Sequence, residues 1–223
     1  MDPVKISYFT DVLCVWAYVS QVRIDELKAN FKHTVEVDCR YLHVFGNVAN
    51  KMATAWKDRG GLPAYRRHVR EIVEKFGHVQ LHEQTWQGGV PKSSMPAHLF
   101  LCATRHVESL SGCSARSGER AAWALRDAFF CQGRDISQRK VLFEVAESIG
   151  LPASEIEDAI ATGAAHATLA EDLELARSQS IAASPTLLFN EGRQRLTGNV
   201  GYRIIEANIR ELLEHAPGQL SWC

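Results

Sequence analysis

The sequence predicts an α/β fold: one mixed sheet covered by helices, with a large helical insertion between a βαβ half and a ββα half. Three observations predict it. Strand-like runs of apolar residues lie only near the two ends of the chain. Between them, from Val48 to Ser180, the pattern is helical almost throughout. Neither end piece is long enough to hold a core of its own, so the two are expected to share one sheet. On these boundaries residues 1–47 and 181–223 make the sheet domain, and residues 48–180 an inserted all-helical domain.

The elements follow in order. Val4, Ile6 and Tyr8 alternate with Lys5 and Ser7, the period of a half-buried strand. Val19, Val22, Ile24 and Leu27 then recur at helical spacing. Val35, Val37, Cys39 and Tyr41 alternate with Glu36, Asp38 and Arg40, giving a second strand. A helix joins the two strands, so they are expected to run parallel. In the middle, residues 62–76 have Pro63 near their start and Gly77 just beyond their end. Residues 96–107 form a second amphipathic run, 112–118 a small polar break, and 119–131 a third helix. Ser137 is placed to cap a helix running to Ile149 with Gly150 as its stop, and Ser154 to cap the next. Residues 164–178 are rich in Ala, Glu and Leu, good helix formers. Near the end, residues 186–189 and 194–197 form a hairpin around Asn190-Glu191-Gly192. Tyr202, Ile205, Ile209, Leu212 and Leu213 then mark one face of a closing helix.

Composition removes several functions. With 25 Lys+Arg against 26 Asp+Glu, the net charge is −1, and no basic excess exists to bind a nucleic-acid backbone. The longest apolar stretches fall far short of the ~20 residues of a membrane helix. Met1-Asp2-Pro3-Val4-Lys5 leads straight into a strand and lacks the regions of a secretory signal, so a cytoplasmic protein is expected. The six cysteines, Cys14, Cys39, Cys102, Cys113, Cys131 and Cys223, include no Cys-x-x-Cys pair, so free thiols are expected. His98, Cys102 and His106 share a helix face at spacing four, yet no fourth ligand is evident; a core thiol between two histidines is expected, and no metal. The Arg66-Arg67-His68-Arg70 cluster reads as a solvated helix face.

Two segments carry chemistry. Cys14 falls at the junction of the first strand and first helix. Free backbone N–H groups and the helix dipole favour an anion there, so a thiolate is expected, with depressed pKa and nucleophilic character. The second segment is Ala183-Ser184-Pro185-Thr186, with a proline at the first position of a strand, where its missing N–H is tolerated.

These residues resemble the DsbA-type branch of the thioredoxin superfamily over nearly the whole chain. The resemblance rests on Asp11-Val12-Leu13-Cys14-x-Trp16-x-Tyr18, Ser94-Met95-Pro96-Ala97-His98, Asp127-Ala128-Phe129-Phe130 with Gly133-Arg134-Asp135-Ile136, Gly150-Leu151, the run Ser180-Ile181-Ala182-Ala183-Ser184-Pro185-Thr186, and Gly198-Asn199. It is nearest to FrnE-like oxidoreductases, with 2-hydroxychromene-2-carboxylate isomerases and kappa-class glutathione transferases on the same frame. It implies a thioredoxin-like sheet domain, a cis Pro185 facing Cys14, and Trp16 and Tyr18 flanking the thiol, although core packing is the plainer reading of Tyr18. It also implies glutathione as a candidate co-substrate with no tightly bound cofactor. The peptide of glutathione would pair beside Ser184 and Pro185, and its γ-glutamyl end would reach Asn199. A dithiol relative reads Cys-Pro-Trp-Cys-Tyr, whereas this chain reads Cys14-Val15-Trp16-Ala17-Tyr18. The first expectation is therefore a monothiol oxidoreductase acting by mixed disulfides on a small-molecule or protein thiol, with Cys223 as a remote candidate for resolving. A glutathione-dependent isomerase or transferase is the second, and a redox-inactive peptide-binding module the third. A homodimer is left open.

Overall fold

The computed structural model describes residues 3–111 and 116–214, so Cys113 and the tail carrying Cys223 lie outside the described residues. Strand β1 (Val4–Thr10), helix α1 (Val15–Phe31) and strand β2 (Val35–Tyr41) open the chain. Seven helices follow: α2 (Val48–Thr54), α3 (Gly61–Val73), α4 (Met95–Ser111), α5 (Ser117–Phe130), α6 (Arg139–Ser148), α7 (Ala153–Ala161) and α8 (Ala164–Ser178). Strands β3 (Thr186–Phe189) and β4 (Gln194–Thr197) and helix α9 (Tyr202–Glu214) close it.

The four strands form one mixed sheet in the order β2-β1-β3-β4. Strand β1 runs parallel to β2, in register from Val4 opposite Val35 to Thr10 opposite Tyr41. It runs antiparallel to β3, with Phe9 opposite Thr186, and β3 pairs antiparallel with β4, Thr186 opposite Thr197. The two ends of the sequence thus meet in the middle of the sheet. Being central, β1 is buried on both faces over its second half, which is why its alternation fades after Tyr8. Helix α1 also buries residues around its circumference, from Val15 and Ala17 to Ile24 and Leu27, because it touches α3, α9 and β2.

Apolar burial is divided between two main clusters. One lies under the N-terminal end of β1, where Val4, Ile6, Tyr8, Ile24 and Leu27 meet Ile205, Ile209 and Leu212 of α9. The larger continues from the β1–α1 junction (Val12, Leu13, Cys14, Val15) through Phe45, Tyr65 and Trp86 into α4, α5 and α6. The junction that bears Cys14 is therefore roofed by the helical segment.

Local differences from the sequence reading have local causes. Ser137 does not cap α6: Asp135 Oδ1 accepts both its N–H at 2.9 Å and its hydroxyl at 2.6 Å, and the cap position falls to Gln138. Ser154 lies inside the first turn of α7, whose cap position is Pro152. Gly133 adopts φ +66°, and a Cβ there would run into the His82 ring, which accounts for glycine after α5.

Candidate active site

Cys14 is the N-cap residue of α1, with φ −80° and ψ 116°. A turn leads into it: its N–H donates to the Asp11 carbonyl at 3.0 Å, and its own carbonyl accepts the Tyr18 N–H at 3.0 Å. The thiol donates to the Ser184 carbonyl at 3.2 Å, and the Ser184–Pro185 peptide bond is cis. A second bond fastens the same two segments, from the Asp11 N–H to Ser184 Oγ at 2.9 Å. On the far side of the proline, the Gly198 N–H donates to the Pro185 carbonyl at 2.8 Å, which hooks the 198–199 turn onto the same strand start. Cys14, Ser184 and Pro185 are thus brought together from positions 170 residues apart in the chain.

The thiol differs from the sequence expectation in one respect. Its side is only 6% exposed, and burial pushes its pKa above the usual 9.0. The Ser184 hydroxyl and the backbone N–H groups of Ala17 and Trp16 act in the opposite direction, while the Asp11 carboxylate adds to the rise. The helix-end donors are present, but desolvation outweighs them. Position 17, where a resolving sulfur would stand, is a fully buried methyl group. Cys14, Cys39, Cys102 and Cys131 all carry free thiols, none in a disulfide.

The other expected residues divide. Trp16 is half-buried, and its ring meets His68 of α3 edge-on at 6.4 Å. His68 also lies 5.1 Å from the Trp56 ring, so an aromatic rim stands beside the thiol's helix start. Partial burial holds the His68 pKa below 6.5. Tyr18 lies in the core. It is 2% exposed, stacks on Phe130 at 4.4 Å, and its hydroxyl meets the Gln80 carbonyl and Cys131 Sγ, both at 3.0 Å. Asn199 is exposed at the 198–199 turn, where its side-chain oxygen accepts from the Ser20 hydroxyl at 3.2 Å and from the Arg23 guanidinium.

The sequence reading missed a buried carboxylate that assembles this junction. Asp11 is fully buried and accepts from the Leu13 N–H at 2.9 Å, the Phe45 N–H at 2.8 Å and the Ser94 hydroxyl at 2.9 Å. His98, also fully buried, accepts the Val12 N–H at Nε2 (3.2 Å) and lies 3.6 Å from Asp11. Accepting there places the His98 proton on Nδ1, in line with the burial that lowers its pKa below 6.5. Hence Asp11, Ser94 and His98 are three parts of one clamp on the loop that carries Cys14. The signal for it was present as two recognisable motifs, but nothing in either says that they touch. His98 is therefore spent on Val12, Cys102 Sγ approaches Asp172 at 3.8 Å, and among the described residues no three metal-ligating side chains cluster.

Known proteins resemble this chain in sequence and in fold. A curated relative, the ClpXP adapter protein SpxH of Bacillus licheniformis, is 29% identical over 107 residues, which are 46% of this chain and 36% of that protein. The match thus spans about a third of that relative's length. Among solved structures, a protein described as a DsbA oxidoreductase from Streptomyces coelicolor superposes with a TM-score of 0.74 at 20% identity, covering 98% of this chain and 94% of that one. The cytosolic disulfide reductase DsbM from Pseudomonas aeruginosa, solved with GSH, superposes at 0.64 with 19% identity, covering 94% and 97%. At such identities the two structures establish the frame: a mixed sheet with a large helical segment between β2 and β3. The family model described as a DSBA-like thioredoxin domain matches residues 5–210, and the chain belongs to that family.

Proposed function

We propose that the protein exchanges thiols and disulfides through Cys14 alone. The observation that supports this reading best is the contact of Cys14 Sγ with the Ser184 carbonyl at the cis Ser184–Pro185 bond, with Ala17 where a second thiol would stand. As a thiolate, Cys14 attacks one sulfur of a disulfide R–S–S–R′. The S–S bond breaks, R′–S⁻ leaves and takes up a proton, and Cys14–S–S–R remains. A second thiol then attacks that mixed disulfide, carries R away as a new disulfide and returns Cys14. No net oxidant is consumed, because each step exchanges one S–S bond for another. Glutathione suits the role of second thiol, being small enough to enter at an almost closed sulfur; no tightly bound cofactor is needed. A reducing, cytoplasmic setting keeps such a site in its thiol form.

The test is the order of the release step. Preformed Cys14–glutathione adduct should release its glutathione at a rate proportional to added thiol, and Ala17→Cys should release it without any. Release from the wild type that is independent of added thiol would mean that another cysteine resolves it.

One observation favours a second reading. Burial holds Cys14 toward its neutral form, which suits a thiol that contacts glutathione without changing redox state, as in an isomerase or transferase. The two readings part on turnover: the second requires saturable binding of reduced glutathione and no release of thiol from disulfides.

A further inference from the structure

The charge of the chain is not evenly spread. Residues 48–75, which hold α2, α3 and the turns around them, carry seven Lys+Arg against three Asp+Glu, a net of +4. Residues 136–180, which hold α6, α7 and α8, carry three against eight, a net of −5. The remaining segments balance, so the overall −1 is the small difference between a basic lobe and an acidic one. The two lobes rest on different supports: α3 packs against α1 and α2, whereas α7 and α8 pack against α4. Interspersed signs suffice for solubility, but separated faces of single sign set up a field that guides charged partners.

The basic lobe is the one beside Cys14. Arg59, Arg67 and Arg70 are exposed, and Lys51 and Arg66 are half-buried. A series of ring contacts leads from this face to the thiol. The Arg59 guanidinium lies 5.2 Å over the Trp56 ring, Trp56 meets His68 at 5.1 Å, and His68 meets Trp16 at 6.4 Å, two residues beyond Cys14. Arg67 and Arg70 flank His68 on α3, and three residues apart they share a side of the helix. Tyr65 of the same helix is buried, close enough to Cys14 for the charge of a thiolate to reach its phenol. We propose that the basic α2–α3 face is an interaction surface that delivers an acidic, disulfide-bearing polypeptide segment to Cys14. The disulfide in that description rests on the reading of Cys14 as the exchange site; the acidic character rests on the charge of the face. A nucleic acid fits less well, because it offers Cys14 no sulfur and the acidic lobe repels an extended polyanion.

Two symmetric peptide disulfides test it: capped heptapeptides with two glutamates on each side of the cysteine, and the same peptides with glutamines. The Cys14 thiolate attacks one sulfur, the S–S bond breaks, one peptide leaves as its thiol, and Cys14–S–S–peptide is counted by intact mass. The glutamate disulfide should react at least about ten-fold faster in about 0.02 M salt. Most of that lead should vanish near about 0.5 M, where the Debye length has fallen from roughly 20 Å to roughly 4 Å. The double variant Arg67→Gln/Arg70→Gln should lose about three-fold or more with the glutamate disulfide and nothing with the glutamine one. Arg193→Gln/Arg203→Gln makes the same change in net charge at a distance and should keep the lead. Arg193 follows the turn at the opposite end of β3 from Pro185, and Arg203 adjoins Tyr202, which bonds Asn30 near the far end of α1 from Cys14. No lead for the glutamate disulfide, or an equal loss in the two double variants, overturns the proposal. So does sedimentation of the wild type as a dimer that Arg67→Gln/Arg70→Gln dissociates, because the acidic lobe of a second copy would then be the occupant. Failure of the exchange reading looks different: Cys14 would react with neither peptide nor with oxidised glutathione. Fluorescence anisotropy with labelled peptides carrying serine for cysteine then decides this proposal without any sulfur chemistry. Preferred binding of the glutamate peptide, weakened in Arg67→Gln/Arg70→Gln, supports it, and equal binding of the two peptides overturns it.

Discussion

Removing the Asp11 carboxylate should be the most damaging single change near the site. In Asp11→Ala three donors lose their acceptor together: the Leu13 and Phe45 N–H groups and the Ser94 hydroxyl. A buried donor left without a partner costs about 1–3 kcal/mol, and water admitted to the space vacated recovers some of that. A loss of roughly 3–6 kcal/mol follows, against a total of about 5–15 kcal/mol for a typical native domain. At about 2–4 °C per kcal/mol for a chain of this size, the melting temperature should fall by roughly 6–24 °C. Asp11→Asn keeps one acceptor oxygen and should lose about half as much. It should also change Cys14. The Asp11 charge raises the thiol's pKa, so its removal lowers it, and Asp11→Asn should be alkylated by iodoacetamide faster than wild type at pH 7. Thermal unfolding and the alkylation rate together check the argument. An Asp11→Ala protein within 1 kcal/mol of wild type, or an Asp11→Asn protein alkylated no faster, would refute it.

Two other outcomes are expected. His98 is buried neutral with a pKa below 6.5, so the unfolded chain takes up its proton first as pH falls. Stability should therefore drop below about pH 6.5, by at most about 1.4 kcal/mol per pH unit from this group, and His98→Gln should flatten that slope in unfolding titrations at pH 5–7; an unchanged slope contradicts the assignment. Tyr18→Phe deletes the hydroxyl's bonds to Gln80 and Cys131, which should cost about 1 kcal/mol in denaturant unfolding and leave the alkylation rate of Cys14 unaltered. A changed rate would return Tyr18 to the site.

Much of the architecture was legible because it is written in local periodicity. The alternation in β1 and β2, the proline and glycine punctuation around α3, and the hairpin at Asn190 all report on neighbouring residues. The opposed pair Cys14 and Ser184 was legible only through motif resemblance, since nothing local ties residues 170 apart. What escaped is non-local and electrostatic. Asp11 reads as a loop acid until Ser94 and Phe45, 83 and 34 residues away, close on it. The raised pKa of Cys14 is illegible for the same reason: the helix terminus that stabilises a thiolate lies in the sequence, whereas the roof of helical residues that desolvates it comes from elsewhere in the chain. Ser137 shows the same limit in miniature, a good capping residue already engaged by Asp135.

Thiol–disulfide exchange in this protein requires Cys14 Sγ itself to react. Intact-mass spectrometry after brief exposure to oxidised glutathione, with the wild type beside Cys14→Ser, tests that directly. One adduct of roughly 305 Da, confined by peptide mapping to Cys14 and absent from the variant, is the predicted result. Equal labelling of both proteins, or a wild type that takes up none, would contradict it.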